Sequence, residues 1–220
     1  MLFDNNGDMK GFINIGASES LCATWLPPIL REYRSLYPNV QLTLKMADCI
    51  QFPDFLDKNI IDIGFGFHDE STNVQINQTD LFECNAVFIS SPENTLANMK
   101  KLSLENLENQ SFILVESQSG YSYELKEMLK AKNINIPPIM EFNSLEAIKE
   151  CVKNNLGISL LPSIVVEKEI ESGELIRLPV EAEKIQVNAK MIYHKNKWLS
   201  PALCALRDLA LLRKDEFINN

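Results

Sequence analysis

The residues best equipped for chemistry in this chain are small, hydroxylated and placed where apolar strands turn into helices. Ile13 to Leu26 reads INIGASESLCATWL: an alternating apolar run ends in Gly16, Ala17 and Ser18, Glu19 and Ser20 follow, and helical spacing begins. Small residues at a strand end clear space where a helix exposes free amides, and that combination seats an anion or a polar ligand. It also makes an ordinary turn in which the serine only caps the helix, a contribution of about 0.5–2 kcal/mol. The arrangement recurs. SFILVE is followed by Ser117-Gln118-Ser119-Gly120 and a helical pattern from Tyr121, and Asn143-Ser144 precedes LEAIKECVK. Capping explains one such turn; matched turns in both halves of the chain point to a ligand that they share.

Catalysis has thinner support. No GxSxG, HExxH or phosphate-loop pattern occurs. The serines have no base beside them in sequence, so no catalytic residue is assigned and no enzyme is expected. The two histidines, His68 at the rim of the site and His194 beside Lys195 and Lys197, read as exposed. Five cysteines are scattered without a CxxC pair, so neither a zinc site nor a disulfide framework is expected, and no metal or cofactor is assigned. Cys22, near the first turn, has the position of a redox sensor, but thiols in apolar helical patterns are mostly buried and inert. Cys84 and Cys151 read as core. Trp25 and Phe55 could stack on a ligand, though aromatic residues at helical spacing are more often core.

The totals set limits. At 220 residues, 45% hydrophobic and 23% charged, the chain can bury a large core in one domain or two lobes. A net charge of −9 repels nucleic-acid phosphate, so the chain by itself is not expected to hold DNA. No apolar run approaches the roughly 20 residues that cross a bilayer, so no membrane contact is expected. The start, MLFDNNGDMKGF, lacks a basic stretch followed by a long apolar one, and is not read as an export signal. Reduced thiols fit a cytoplasmic setting.

Strands and helices alternate to position these turns. Phe12–Gly16, Val40–Met46 and Ile61–Phe65 read as strands, with a helix over Ser20–Tyr37 that breaks near Pro27-Pro28 and a short one over Asp48–Lys58. After an extended run, Leu81–Ser91, the plan repeats. Ser111–Glu116, Pro138–Phe142 and Ile158–Leu161 are expected strands; Tyr121–Lys132, Leu145–Lys153 and a stretch from Pro162 to Glu171 are expected helices, with Gly157 as a left-handed exit. Leu175–Leu178 is short and extended, Gln186–Tyr193 returns as a strand, and Ser200 caps a closing helix to Arg213. The glycines of IDIGFGF mark a close approach to the backbone or a tight strand exit. The expected fold is α/β: two Rossmann-like lobes, the second inserted in the first. The first takes 1–84 with 186–220, the second 85–185. Ligands of such sheets sit outside the carboxyl ends of the strands, which places the serine turns on one inter-lobe cleft.

The chain resembles the effector-binding (substrate-binding) domain of LysR-type transcriptional regulators over nearly its full length. The residues that carry the resemblance are GFINIGAS, LPPILREYRSLYPNVQLTL and IDIGF in the first half, then FNSLEAIKECVKNNLGISLLPSIVVEKEIESGELIRLP and LSPALCALRDL. It implies a fold like the type II periplasmic binding proteins, with a small-molecule effector in the cleft and control of DNA binding and transcription. It also implies promoter DNA bound only through an N-terminal winged helix-turn-helix that this sequence lacks. A homodimer or homotetramer is implied, made by the helices Thr24–Tyr37 and Pro162–Glu171 of partner subunits. By position, Ala17, Ser18 and Glu19 match the primary ligand loop of the family. Ser117, Ser119, Gly120 and Tyr121 match the second-lobe loop, and Asn143-Ser144 the third. Ala47 and Asp48, with Gly64 and Gly66, are expected to line the same cleft.

Two acids bear on the ligand class. If Glu19 and Asp48 both face it, like-charge repulsion disfavours a plain carboxylate, and an amino acid or a neutral polar metabolite suits better. Alternatively Glu19 points to solvent in the first helical turn, where an acid is favourable anyway. A solute-binding protein of a transporter is the rival from another class, and would need an export signal or a lipid anchor.

Overall fold

In the computed structural model, which describes residues 9–67, 75–116, 121–134, 140–181 and 185–214, the elements follow the hydrophobic periods of the chain. The strands are β1 (Gly11–Ala17), β2 (Val40–Met46), β3 (Ile63–Phe67), β4 (Ile76–Ser90), β5 (Ile113–Val115), β6 (Met140–Phe142), β7 (Ser159–Pro162), β8 (Ile176–Arg177) and β9 (Gln186–His194). The helices are α1 (Glu19–Ala23), α2 (Leu26–Leu36), α3 (Phe52–Asp57), α4 (Tyr121–Ala131), α5 (Leu145–Lys153), α6 (Glu167–Glu171) and α7 (Pro201–Leu212). Two compact units result: Met1–Glu83 with Asn188–Asn220, and Cys84–Val187. The chain passes from one to the other inside β4 and returns inside β9.

In the first unit β1 lies between β2 and β3 and is parallel to both, while β9 runs antiparallel to β3. Ile13, Ile15, Ile63, Phe65 and Trp25 are fully or almost fully buried. The Trp25 ring lies 5.7 Å from Phe65 and 5.6 Å from Phe82, so this aromatic belongs to the core. The expected first helix is two helices. The break falls at Thr24–Trp25 because Pro27 and Pro28 have no amide to donate and are tolerated only in the opening turn of α2. α2 buries Leu26, Ile29 and Tyr33, and the Tyr33 hydroxyl donates to the Ala202 carbonyl at 2.8 Å, fastening α2 to α7. β2 departs from expectation in its cover rather than its span. Its alternating Leu44 and Met46, toward the end of an edge strand, are 45% and 58% exposed.

In the second unit β5 and β6 are parallel and β4 pairs antiparallel with β7 and β8. Ile89, Ile113, Ile148, Val152, Leu161 and Leu175 form its core. The structure corrects two local expectations. The left-handed residue after α5 is Asn155 (φ 57°) and not Gly157. Gly157 is needed for a different reason: a Cβ there would collide with the Ser111 carbonyl oxygen, and the two backbones lie that close because Ile158 donates to it. The expected helix from Pro162 is not continuous either. Pro162 ends β7, a 3-10 turn covers Ser163–Val165, and α6 occupies only Glu167–Glu171. Pro162 fits that strand end because its missing amide is not asked for there: Ala86, the residue opposite it on β4, donates to the Ile185 carbonyl instead.

Candidate functional site: the strand ends beside Ser18

The first turn is built by the register of three strands. Ala17 stands beside Phe65 of β3 and Met46 of β2, and the Ser18 amide donates to the Phe65 carbonyl at 2.9 Å. Ser18 is the residue before α1, with extended backbone (φ −67°, ψ 153°), yet its side chain makes no capping hydrogen bond. Its hydroxyl is buried and has no partner among the described residues. Ser144 behaves otherwise. It accepts from the Ala147 amide at 3.4 Å, so at Ser144 the capping role accounts for the residue. The two serines that looked alike in sequence are thus different: one caps, the other keeps a buried hydroxyl that nothing in the fold uses.

Strand alternation returns Ser18 to the face of Gly16, the face covered by α3. There Phe52 and Cys49 approach the sheet. A Cβ on Gly64 would meet the Phe52 ring at 3.0 Å, and one on Gly66 would collide with the Cys49 sulfur. The close approach that IDIGFGF announced is therefore made by core side chains, and the room at both glycines is filled by them. Ala47 donates its amide to the Ala17 carbonyl at 3.1 Å, keeping the β2 exit beside the β1 exit. Asp48 caps the following turn, one carboxylate oxygen accepting from the Ile50 amide at 3.2 Å. Glu19 occupies the first turn of α1.

Lys190 was not anticipated. It lies opposite Gly66 in the β3–β9 ladder and is buried, with its ammonium 3.7 Å from the Asp80 carboxylate. The signal was present: a lysine inside the apolar strand QVNAKMIYH is out of place unless its charge has a use.

Cys22 sits on α1, half-buried. Burial, with the neighbouring Glu19 charge, pushes its thiol up to about 11. Cys84 is pushed up to about 12, again mainly by burial and then by Glu167. Neither is a ready thiolate, as expected of thiols in apolar surroundings. Among the described residues no group of three or more His, Cys, Asp or Glu is arranged to hold a metal ion.

In the second unit Asn143 donates to the Glu116 carboxylate at 2.7 Å, joining the ends of β5 and β6. Tyr121 opens α4 and packs on the core cluster. Ser117, Ser119 and Gly120 lie outside the described residues, as does His68.

Residues 6–213 match the family model of the LysR substrate binding domain, and the chain belongs to that family. YfiE, an uncharacterized HTH-type transcriptional regulator of Escherichia coli K12, is 30% identical over 196 residues, covering 89% of this chain and 66% of that protein. CmpR, an HTH-type transcriptional activator of Synechocystis sp. PCC 6803, is 32% identical over 200 residues, covering 91% and 65%. The chain thus spans about two thirds of these relatives (66% and 65%). The regulatory domain of CcmR from Synechocystis PCC6803, solved in complex with 2-PG, superposes with a TM-score of 0.83 at 20% identity, over 93% of this chain and 98% of that one. That likeness shows the fold, the two-lobed α/β architecture of LysR effector-binding domains. The relatives are transcriptional regulators and not enzymes, and nothing among them supports a transporter's solute-binding protein.

Proposed function

We propose that this chain is the effector-sensing part of a LysR-type transcriptional regulator and binds a small polar metabolite at the strand ends around Ser18. The observation that supports this is the Ser18 hydroxyl itself. It is buried, it leaves the helix uncapped, and it pairs with nothing described, although an unsatisfied buried hydroxyl costs about 1–3 kcal/mol. Such a group persists where a ligand satisfies it. Ala17, Glu19, Ala47 and Asp48 surround it in sequence and register.

Effector control of a regulator requires the ligand to bind one assembly state better than another. The proposed contact between subunits uses the outer face of α2, where Pro27, Pro28, Arg31, Arg34 and Ser35 are exposed, against the Ser163–Glu171 segment of a partner. The exposed acidic residues Glu167 and Glu171 there complement the two arginines of α2. Promoter DNA is then held by the remaining third of the whole protein, consistent with the −9 charge of this chain, and the setting is cytoplasmic.

A thermal-shift screen of amino acids, small carboxylates and neutral metabolites tests the function. A compound should raise the melting temperature of the native chain but not that of Ser18→Tyr, which fills the seat. A compound that stabilises Ser18→Tyr equally well would remove Ser18 from the site.

A further inference from the structure

Lys190 is the feature that the fold leaves unexplained. It stands in β9 with its side chain only 7% exposed, and its one ion pair among the described residues is with Asp80 at 3.7 Å. Asp80 is 80% exposed, so its carboxylate is well hydrated and screened. A long contact to such a group contributes little, whereas burying an ammonium costs several kcal/mol. The pair does not account for the charge.

Its place in the sheet does. Ala17 is in register with Phe65, so Ser18 comes beside Gly66, and Gly66 is directly opposite Lys190. Ser18 and Lys190 therefore occupy one row across β1, β3 and β9, about 10 Å apart at Cα for two strand spacings of about 4.8 Å. Directly opposed residues share a face, so Lys190 projects on the side of Gly66 and Cys49, the side to which Ser18 returns. Cys49 packs over Gly66 in the middle of the row. At one end is a buried hydroxyl without a described partner; at the other, a buried cation with only a solvated, distant counter-ion.

We propose that Lys190 supplies the counter-charge of the effector seat, so the effector carries an oxyanion, a carboxylate or a phosphate. This rests on the effector-binding function proposed for Ser18 and names its ligand class. It also revises the balance of charge expected from the two acids: Asp48 is engaged in capping its own turn, Glu19 lies in the opening turn of α1, and the buried charge on this row is positive.

The test uses the chain as it stands with Lys190→Met, Lys190→Arg, Asp80→Asn and Ser18→Tyr. In chloride, Lys190→Met should melt no lower than the native protein, since it removes a buried charge without breaking a useful pair. If Lys190→Met and Asp80→Asn both melt lower by a similar amount, the lysine is a structural partner of Asp80 and the proposal fails. Phosphate, sulfate and benzoate are then titrated at constant ionic strength, with benzamide as the neutral control. At least one oxyanion should raise the native melting temperature saturably. Lys190→Met should lose that rise, binding about ten- to a hundredfold more weakly, and Lys190→Arg should recover part of it. Equal rises in the native protein and Lys190→Met overturn the proposal. A neutral compound that stabilises both of these but not Ser18→Tyr also overturns it, while leaving the effector function intact. An oxyanion whose effect needs Lys190 but survives in Ser18→Tyr upholds the counter-charge and removes Ser18 from the seat.

Discussion

The Ser18 amide donates to the Phe65 carbonyl at 2.9 Å, so β1 is still laced to β3 at the residue where helix α1 is about to begin. The backbone of Ser18 is extended much as at Ser200, whose hydroxyl does cap its helix, so it is the side-chain orientation and not the backbone that keeps the Ser18 hydroxyl from the α1 amides. Ser18→Ala should therefore cost the unliganded domain nothing and stabilise it by about 1 kcal/mol, because it deletes an unsatisfied hydroxyl. Ser144→Ala, which removes a cap in use, should lose about 0.5–2 kcal/mol. Urea unfolding of the two variants gives opposite signs if the two serines differ as described.

Glycine positions rank by what a methyl group would strike. At Gly157 it meets a carbonyl oxygen of the backbone, which cannot rotate away. At Gly66 it meets the Cys49 sulfur, and at Gly16 the tip of Ile61 at 2.7 Å, the far end of a flexible side chain. Alanine should destabilise most at Gly157, less at Gly66 and least at Gly16, within the roughly 1–3 kcal/mol typical of overpacking and beyond it at Gly157. Denaturant midpoints measured at constant slope decide the order.

Lys149 lies 2.6 Å from Glu169 and 2.9 Å from Glu146, with both Lys149 and Glu169 largely buried. Burial, the largest single influence, would raise the Glu169 carboxyl, but the hydrogen bond from Lys149, a backbone hydrogen bond and the charges of Lys149 and Lys153 together hold the group below its ordinary 4.5. Burial would lower Lys149, and its two carboxylate partners instead raise it above 10.5. The signs follow. The Glu169 contribution is present above the ordinary carboxylate range and is lost as pH falls below about 4.5; that of Lys149 is present below 10.5 and is lost as pH rises past it. Glu169→Gln should cost about 1–3 kcal/mol at pH 7 and flatten the acid limb of a stability-against-pH curve.

With its thiol pushed up to about 11, Cys22 should react with iodoacetamide far more slowly at pH 7.5 than a free cysteine does, and accelerate only as pH approaches 11. Mass spectrometry of labelled peptides reads this directly. Rapid labelling at pH 7.5 would reinstate Cys22 as a redox sensor.

Much of the fold could be read from periodicity because burial is enforced locally: Ile13 and Ile15 alternate, and Leu145, Ile148 and Val152 recur at helical spacing. The places where reading failed are those where a neighbour distant in sequence decides. Leu44 and Met46 alternate like any half-buried strand, yet both are exposed toward the end of an edge strand. Gly66 announced a close approach without naming the visitor, which is Cys49.

The sequence by itself determined the alternation of strands and helices, the two-part plan and the family, because hydrophobic period and turn chemistry act over a few residues. Only the tertiary structure decided which serine is free and which is a cap, and that Lys190 shares a row with Ser18. Those facts depend on strand register, which joins residues as far apart as 18, 66 and 190, and no local pattern carries that information.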